Sequence, residues 1–433
     1  MIPQHIIDFR ARTHSREELD FLASTPTTAT YKDIDKADQV VLINFEPEDE
    51  SPIIFLRIYK QVYKRAIKVI SIAPYASRGS EKLKAKLIKS AAGNEIAAIS
   101  SLSGLSSKSV VLVGERLVET EGGLSAVAKL VEQSGAKLGW VPRRAGECGA
   151  IAAGATPNLL PGNRLVTDAA ARVDIATAWG TPSLPTEVGM STDEMINSDL
   201  QALLIGGIDP MDIAPDAKIK LAKKFVVSLE IRQSDITDIA AVVLPVAAVV
   251  EKSGSFIDWQ GNTRSFESAV SQSLNRSDVR ILSMLADEIG RSIKLTTVKA
   301  ARAEFDSIGN WDGPKIAMKS SPAKAVNAVA DGEGILSSWR NLLDKGSLQD
   351  GEDNLAGTAR KSVVVISGSR ANKLGVKESD LVRVSNNYGA ITLPCVIADI
   401  EDSSIWLPRN SLSSQLIRNL GVVSNSVVKV AKA

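Results

Sequence analysis

The chain has 433 residues, 51 Lys and Arg against 50 Asp and Glu, 44% hydrophobic and 23% charged residues. That balance excludes an intrinsically disordered, collagen-like or membrane-embedded design, and the length suits roughly two to four domains. A formal net charge of +1 and an aromatic content of 4% give neither the field nor the stacking platforms of a nucleic-acid binder.

In chain order, the first residues, MIPQHIIDFRAR, lack the uninterrupted apolar core of a signal peptide. His5 and His14 are expected on the surface. Gln39 to Asn44 reads as a buried strand, Ser51 to Arg65 as a helix with Ser51 as N-cap and Pro52 at its first position, and Lys68 to Ile72 as a second strand. Arg57, Lys60, Lys64 and Arg65 follow helical spacing and read as a solvated face, with a docking patch as the alternative. Ser109 to Gly114, a helix near Gly123 to Gln133 and a strand over Ala136 to Val141 repeat the pattern. Glu121-Gly122-Gly123 lacks dinucleotide-loop spacing and reads as the turn that opens that helix. Cys148 and Cys395 are too few and too far apart for a disulfide framework, zinc cluster or four-cysteine iron–sulfur site, so Cys148 reads as a packing residue. A third unit runs from Ala202 to Gly206 through a helix around Ala214 to Lys224 to Phe225–Leu229. Strands and helices alternating at this spacing mean βαβ units and a parallel sheet. The longest apolar run, Ile239 to Val250, holds a proline and is too short to span a bilayer.

Two first-strand loops, Asn44-Phe45-Glu46-Pro47 and Gly206-Gly207-Ile208-Asp209-Pro210, place an acidic residue before proline at the carboxyl end of a strand. Open α/β sheets bind ligands there, although the pair can equally be a turn that starts a helix. Residues 297–360, rich in Ala, Ser, Gly, Asp and Lys, read as a flexible helical linker with a helix over Gly334 to Leu343. After it come short strands at Ser362–Ile366, Leu381–Val384, Ala390–Val396 and Ser404–Leu407, a hairpin turn at Asn386–Gly389 and a short helix at Ser369–Leu374, which together suggest a small closed barrel. The expected domains are therefore 1–100, a first βαβ region; 101–296, a paired α/β region; 297–360, the linker; and 361–433, the barrel.

Several strings carry a family resemblance. Ile7-Asp8-Phe9-Arg10-Ala11-Arg12, Glu46-Pro47-Glu48-Asp49-Glu50-Ser51-Pro52-Ile53, Val111-Leu112-Val113-Gly114-Glu115-Arg116, Arg143-Arg144-Ala145-Gly146-Glu147, Asn158-Leu159-Leu160-Pro161-Gly162 and Glu251-Lys252-Ser253-Gly254-Ser255-Phe256 resemble the G subunit of bacterial NADH-quinone oxidoreductase, respiratory complex I, in its actinobacterial form. Ala371-Asn372-Lys373-Leu374-Gly375-Val376 and Trp406-Leu407-Pro408-Arg409-Asn410-Ser411 resemble the dinucleotide-binding domain of molybdopterin oxidoreductases. The resemblance implies an α/β fold of molybdopterin-oxidoreductase type with a double-psi-like C-terminal barrel. It also implies that the sequence starts inside the body of the family, without the cysteines that would ligate iron–sulfur clusters; a fragment, a split gene product and a naturally shortened subunit all fit.

The same resemblance places Glu46, Pro47, Asp209, Pro210, Glu251, Gly254, Ser255 and Asn410 on a pterin cleft. Glu46 and Asp209 stand where a neutral Asn would donate hydrogen bonds to phosphate; a carboxylate offers no donor and repels the phosphates, so a vestigial cleft is expected. Gly254 is expected to serve a tight turn and Glu251 a buried hydrogen bond. The expectation is a non-catalytic body in the hydrophilic arm of complex I, peripheral on the cytoplasmic face of the membrane and touching other arm subunits. No cofactor or metal is expected in the chain, and a retained molybdopterin is the alternative. Two competing readings are an active molybdopterin oxidoreductase module of formate-dehydrogenase type and a free-standing nucleotide-binding α/β module.

Overall fold

The computed structural model describes residues 5–270, 273–314, 317–319, 321–322 and 329–433. The chain forms two compact units that do not follow linear order, Met1–Arg12 with Arg144–Ile316, and Thr13–Arg143 with Ala317–Ala433.

In the second of these units five parallel strands, β1 (Gln39–Ile43), β2 (Lys68–Ala73), β3 (Lys86–Lys89), β4 (Ser109–Gly114) and β5 (Lys137–Val141), lie in the order β3-β2-β1-β4-β5. The central strands β1 and β4 are apolar runs because both faces of the sheet are covered: Val40 to Ile43 and Val110 to Val113 are at most 1% exposed. Strand order runs outward in both directions from the β1/β4 pair, which makes the carboxyl ends of these two strands the switch point of the sheet. The helix Pro52–Arg65 buries Ile54, Phe55, Ile58 and Val62. Ser51 does not cap it as expected: its N–H donates to Pro47 O, because a preceding turn, Pro47–Glu50, runs straight into the helix. Gly122, at φ 84°, opens the helix Gly123–Ser134. Glu17 caps that helix from a neighbouring one by accepting from Gly122 N at 3.0 Å and Ser125 N at 2.7 Å.

The same unit holds a closed six-stranded barrel built from Glu333–Trp339, Val364–Ile366, Leu381–Ser385, Ala390–Ile397, Ser404–Pro408 and Val427–Lys432. Its core includes Leu336, Val364, Ile366, Val382, Val384, Leu393, Cys395 and Ile405. Here the structure departs from the sequence reading, in which Gly334 to Leu343 is helical and belongs to a linker. Glu333–Trp339 is a strand pairing with Ser404–Pro408 and Val427–Lys432, and Ile335 and Leu336 are at most 1% exposed. Burial on both faces removes the alternation that marks a strand, and the serines at 337 and 338 dilute its apolar run.

The other unit carries a three-stranded parallel sheet of Ala202–Gly206, Phe225–Glu230 and Val242–Pro245, with Phe225–Glu230 in the middle. One face packs on Ile196, Ala217, Leu221 and Ile236, whereas Leu204, Phe225 and Val242 are exposed. The helix expected over Ala214 to Lys224 is confined to Ala217–Leu221. The Asn158–Gly162 string forms a hairpin, Leu159–Leu160 against Arg164–Leu165, turned by Gly162 at φ 73° and Asn163 at φ 67°. The buried Arg12–Glu147 ion pair at 2.9 Å and the Thr192 N–H donating to Asp8 Oδ2 at 3.1 Å tie the N-terminal segment into this unit, and a buried Arg10–Asp8 pair at 2.9 Å braces the segment itself. His5 is half-buried with Nε2 3.3 Å from Gly154 O, and burial lowers its pKa, so the expected surface position is corrected. His14 is half-buried too. Among the described residues no helix is long and apolar enough to cross a membrane.

Candidate functional site at the sheet switch point

β1 ends in Asn44, a non-glycine residue at φ 45°, whose buried side chain donates to Glu95 Oε1 at 3.0 Å while Thr120 Oγ1 donates to Oε2 at 2.7 Å. The close approach of the backbones explains Gly114 at the end of β4, where a Cβ would lie 2.3 Å from Asn44 O. Two residues on, Glu46 is 6% exposed. Its Oε2 accepts from Ser77 Oγ, its own N–H donates to Glu50 Oε2 at 2.6 Å, and Oε1 has no hydrogen-bond partner. Burial, reinforced by the charges of Asp49 and Glu50, pushes the Glu46 carboxyl up to about 8.

Cations near this loop are engaged by carboxylates. Arg116 forks onto Glu50 at 3.0 and 3.2 Å and lies 5.5 Å from the Trp339 ring. Burial alone would lower its pKa, but the charges of Glu50, Glu119 and Glu46 outweigh burial and hold it above the ordinary value. Arg409 pairs with Glu119 at 2.5 Å, and Arg360 with Asp49 at 3.1 Å. Asp49 also accepts from Trp339 Nε1 at 3.2 Å and Leu342 N at 3.2 Å, which ties the loop to the barrel. Tyr75, Trp339 and Trp406 close the cluster with ring centroids 4.6 to 5.9 Å apart. A cavity of about 20 Å³ lined by Asn44, Glu95, Arg116, Glu119, Ser337 and Trp339, among others, has room for about one water molecule.

The sequence-predicted residues separate between the units. Glu46 and Pro47 lie at the switch point, and Asn410 lies in the barrel unit, buried, with Oδ1 accepting from Gln415 Nε2 at 3.0 Å and Nδ2 without a hydrogen-bond partner. Asp209, Pro210, Glu251, Gly254 and Ser255 belong to the other unit. Asp209 caps the turn Pro210–Asp212 by accepting from Met211 N at 3.0 Å. Glu251 accepts from Ala248 N at 2.8 Å, Ser273 Oγ at 2.8 Å and Asn275 Nδ2 at 2.9 Å, and these bonds, the Ala248 N–H first, lower its pKa. Gly254 sits in a strand rather than a turn; a Cβ there would come 2.5 Å from the Phe266 ring. Ser255 is exposed. The sequence reading missed Arg116, Glu119, Glu95, Tyr75 and Trp339, which enter only because the β4 end and the barrel converge on the loop. Cys148 is half-buried, and burial pushes its thiol up to about 12, in keeping with packing rather than reactivity.

Gly79 supplies the wall over Glu46: a Cβ there would lie 2.2 Å from Glu46 Oε1 and 2.9 Å from Glu48 Cβ. Gly79→Ala should therefore cost about 1–3 kcal/mol of stability in urea titration. A Glu46→Ala background should relieve the part of that loss due to the Glu46 carboxyl, and an undiminished loss there would place the whole clash on Glu48 Cβ.

Residues 7–288 match the family model described as Molybdopterin oxidoreductase, and the chain belongs to that family. Within it, the chain is 45% identical over 98% of its length to the G subunit of the NADH-quinone oxidoreductase of Mycobacterium tuberculosis (strain CDC 1551 / Oshkosh), covering 55% of that protein. It is 39% identical over 99% of its length to the corresponding G subunit of Streptomyces coelicolor (strain ATCC BAA-471 / A3(2) / M145), covering 56%. The chain thus spans about half the length of these curated relatives. Acetylene hydratase from Pelobacter acetylenicus shares the fold, with a TM-score of 0.55 and 12% identity, over 96% of this chain and 80% of that one.

The family is a cofactor-binding one, and the residues here do not fit an anionic pterin pyrophosphate. Arg116, Arg360 and Arg409 are committed to carboxylates, and Glu46 is walled in. In the other unit, Asp209 and Glu251 accept from local N–H groups, and a carboxylate offers no donor to a phosphate. Among the eight predicted positions, spare side-chain donors remain on the buried Asn410 amide and the exposed Ser255 hydroxyl. The raised pKa of Glu46 changes part of the sequence argument: inaccessibility, rather than a full negative charge at neutral pH, is what sets this residue against phosphate.

Proposed function

We propose that this chain is the structural body of a subunit of an NADH-quinone oxidoreductase, shaping the hydrophilic arm while other regions and subunits carry electrons from NADH to quinone. The observation that carries the reading is the internally bonded cluster at the switch point, where Glu46 N–H and Arg116 both donate to Glu50 and Trp339 donates to Asp49 in the place a ligand would take. Identity of 45% to a relative named as the G subunit of that assembly supports the assignment. In it the chain lies at the cytoplasmic face and touches the other hydrophilic-arm subunits; iron–sulfur clusters are held by polypeptide outside the present sequence. The domain boundary at residue 361 gives way in this reading to a barrel that recruits Glu333–Trp339.

Purified protein should carry molybdenum, tungsten and extractable pterin far below one per chain. Stoichiometric metal with pterin would overturn the reading in favour of an active oxidoreductase, the class suggested by 25% identity over 295 residues to the F420-dependent formate dehydrogenase 2 subunit alpha of Methanococcus maripaludis.

A further inference from the structure

The helix Pro52–Arg65 has two apolar faces, and only one is used. Ile54, Phe55, Ile58 and Val62 point into the unit, while Ile53, Leu56, Tyr59 and Tyr63 are 57, 56, 38 and 55% exposed. At 100° per residue the second set forms a continuous ridge on the opposite side. Single exposed hydrophobics are ordinary, but four aligned on one helix face mark a contact surface. The ridge is already ordered: the Tyr59 and Tyr63 ring centroids are 4.6 Å apart, Phe55 and Tyr59 5.9 Å, and Lys84 Nζ lies 4.4 Å from the Tyr63 ring. Fixed aromatic side chains lose little entropy on docking, which is why such residues dominate binding energy.

Resting on the reading of the chain as a subunit, we propose that this ridge docks a neighbouring protein subunit whose facing surface is apolar at its centre and acidic at its rim. The charge pattern selects that partner. Lys60 and Lys64 flank the ridge, both exposed and without an ion-pair partner among the described residues, whereas the other cations of the helix, Arg57 and Arg65, are taken by Asp35 and Asp38. Two free lysines beside an aliphatic and tyrosine ridge complement carboxylates around an apolar centre. Nucleic acid is disfavoured, because two free lysines on a chain of formal net charge +1 supply little of the positive field that a polyphosphate needs.

The test uses the assembly isolated from native membranes, with zero-length carbodiimide cross-linking to join lysine amines to carboxylates in contact. Wild-type chain should co-migrate with the other subunits, and Lys60 or Lys64 should cross-link to Asp or Glu of a different subunit. Leu56→Glu/Tyr63→Glu should lower co-migration at least about tenfold while the thermal unfolding of the purified chain stays near wild type. If wild type fails to co-migrate, the subunit reading falls and takes this proposal with it. If wild type and the double variant co-migrate equally, or the lysines cross-link to nothing, the docking surface alone is overturned. Cosedimentation with phosphatidylserine vesicles, binding to a DNA duplex, or self-association on ultracentrifugation, when abolished by the double variant, would reassign the ridge to lipid, nucleic acid or a second copy.

Discussion

Glu46→Gln should make the protein more stable at alkaline pH and leave it nearly unchanged at pH 5. The carboxyl is pushed from its ordinary 4.5 up to about 8 by burial, with Asp49 and Glu50 adding to the shift and Ser77 opposing it. Between these two values the folded chain keeps a proton that the unfolded chain releases. The stability this supplies is fully present below about pH 4.5 and is lost as pH rises through about 8. A shift of this size corresponds to as much as roughly 5 kcal/mol at its upper bound. Glutamine is neutral at every pH and nearly isosteric, so its unfolding free energy should follow a shallower line. Asp49 and Glu95 are also raised by burial, so a residual slope of the same sign should persist in the variant. Urea titrations at pH 5, 7 and 9 measure both lines; parallel lines would mean that folded Glu46 is ionised throughout and that its surroundings are more polar than the geometry implies.

The parallel sheet and most of the barrel were legible because their strands are short apolar runs bounded by turn residues, as at Gln39–Ile43, Ser109–Gly114 and Leu381–Ser385. The order of the strands was not. The return of the chain from β3 on one edge to β4 on the other side of β1 is a long-range choice that local periodicity does not encode. Glu333–Trp339 was hidden for a related reason: its strand character comes from two partners that lie about 70 and 90 residues further along the chain. The loops Glu46-Pro47 and Asp209-Pro210 looked equivalent in sequence, yet Glu46 is buried among acids and Asp209 simply caps a turn. What separates them is the company each keeps. Arg116, Trp339 and Arg409 come from three different elements, and nothing in the spacing of the chain brings them to mind together.

That company predicts the second large effect. Arg116→Met should destabilise the fold by about 3–5 kcal/mol, because it leaves Glu50, whose side chain is 4% exposed, as a buried carboxylate without its cation. The loss should exceed what removal of side-chain packing over Trp339 explains, since methionine retains much of the apolar stem. Glu50→Gln in the same chain removes the stranded charge while its amide oxygen can still accept the Glu46 N–H, so Glu50→Gln/Arg116→Met should recover much of the stability lost in the single variant. An exposed pair supplies the contrast: Lys137→Met, which breaks the Lys137–Asp33 pair at side-chain exposures of 41% and 20%, should cost no more than about 1 kcal/mol. Denaturant titration of wild type, Arg116→Met, Glu50→Gln, the double variant and Lys137→Met separates the alternatives. A loss of about 1 kcal/mol or less for Arg116→Met would make its pair as dispensable as the exposed one. Additive losses in the double variant would mean that Arg116 serves Glu119 or the Trp339 ring instead of Glu50, and the account of the switch point as a mutually neutralised cluster would have to be redrawn around those partners.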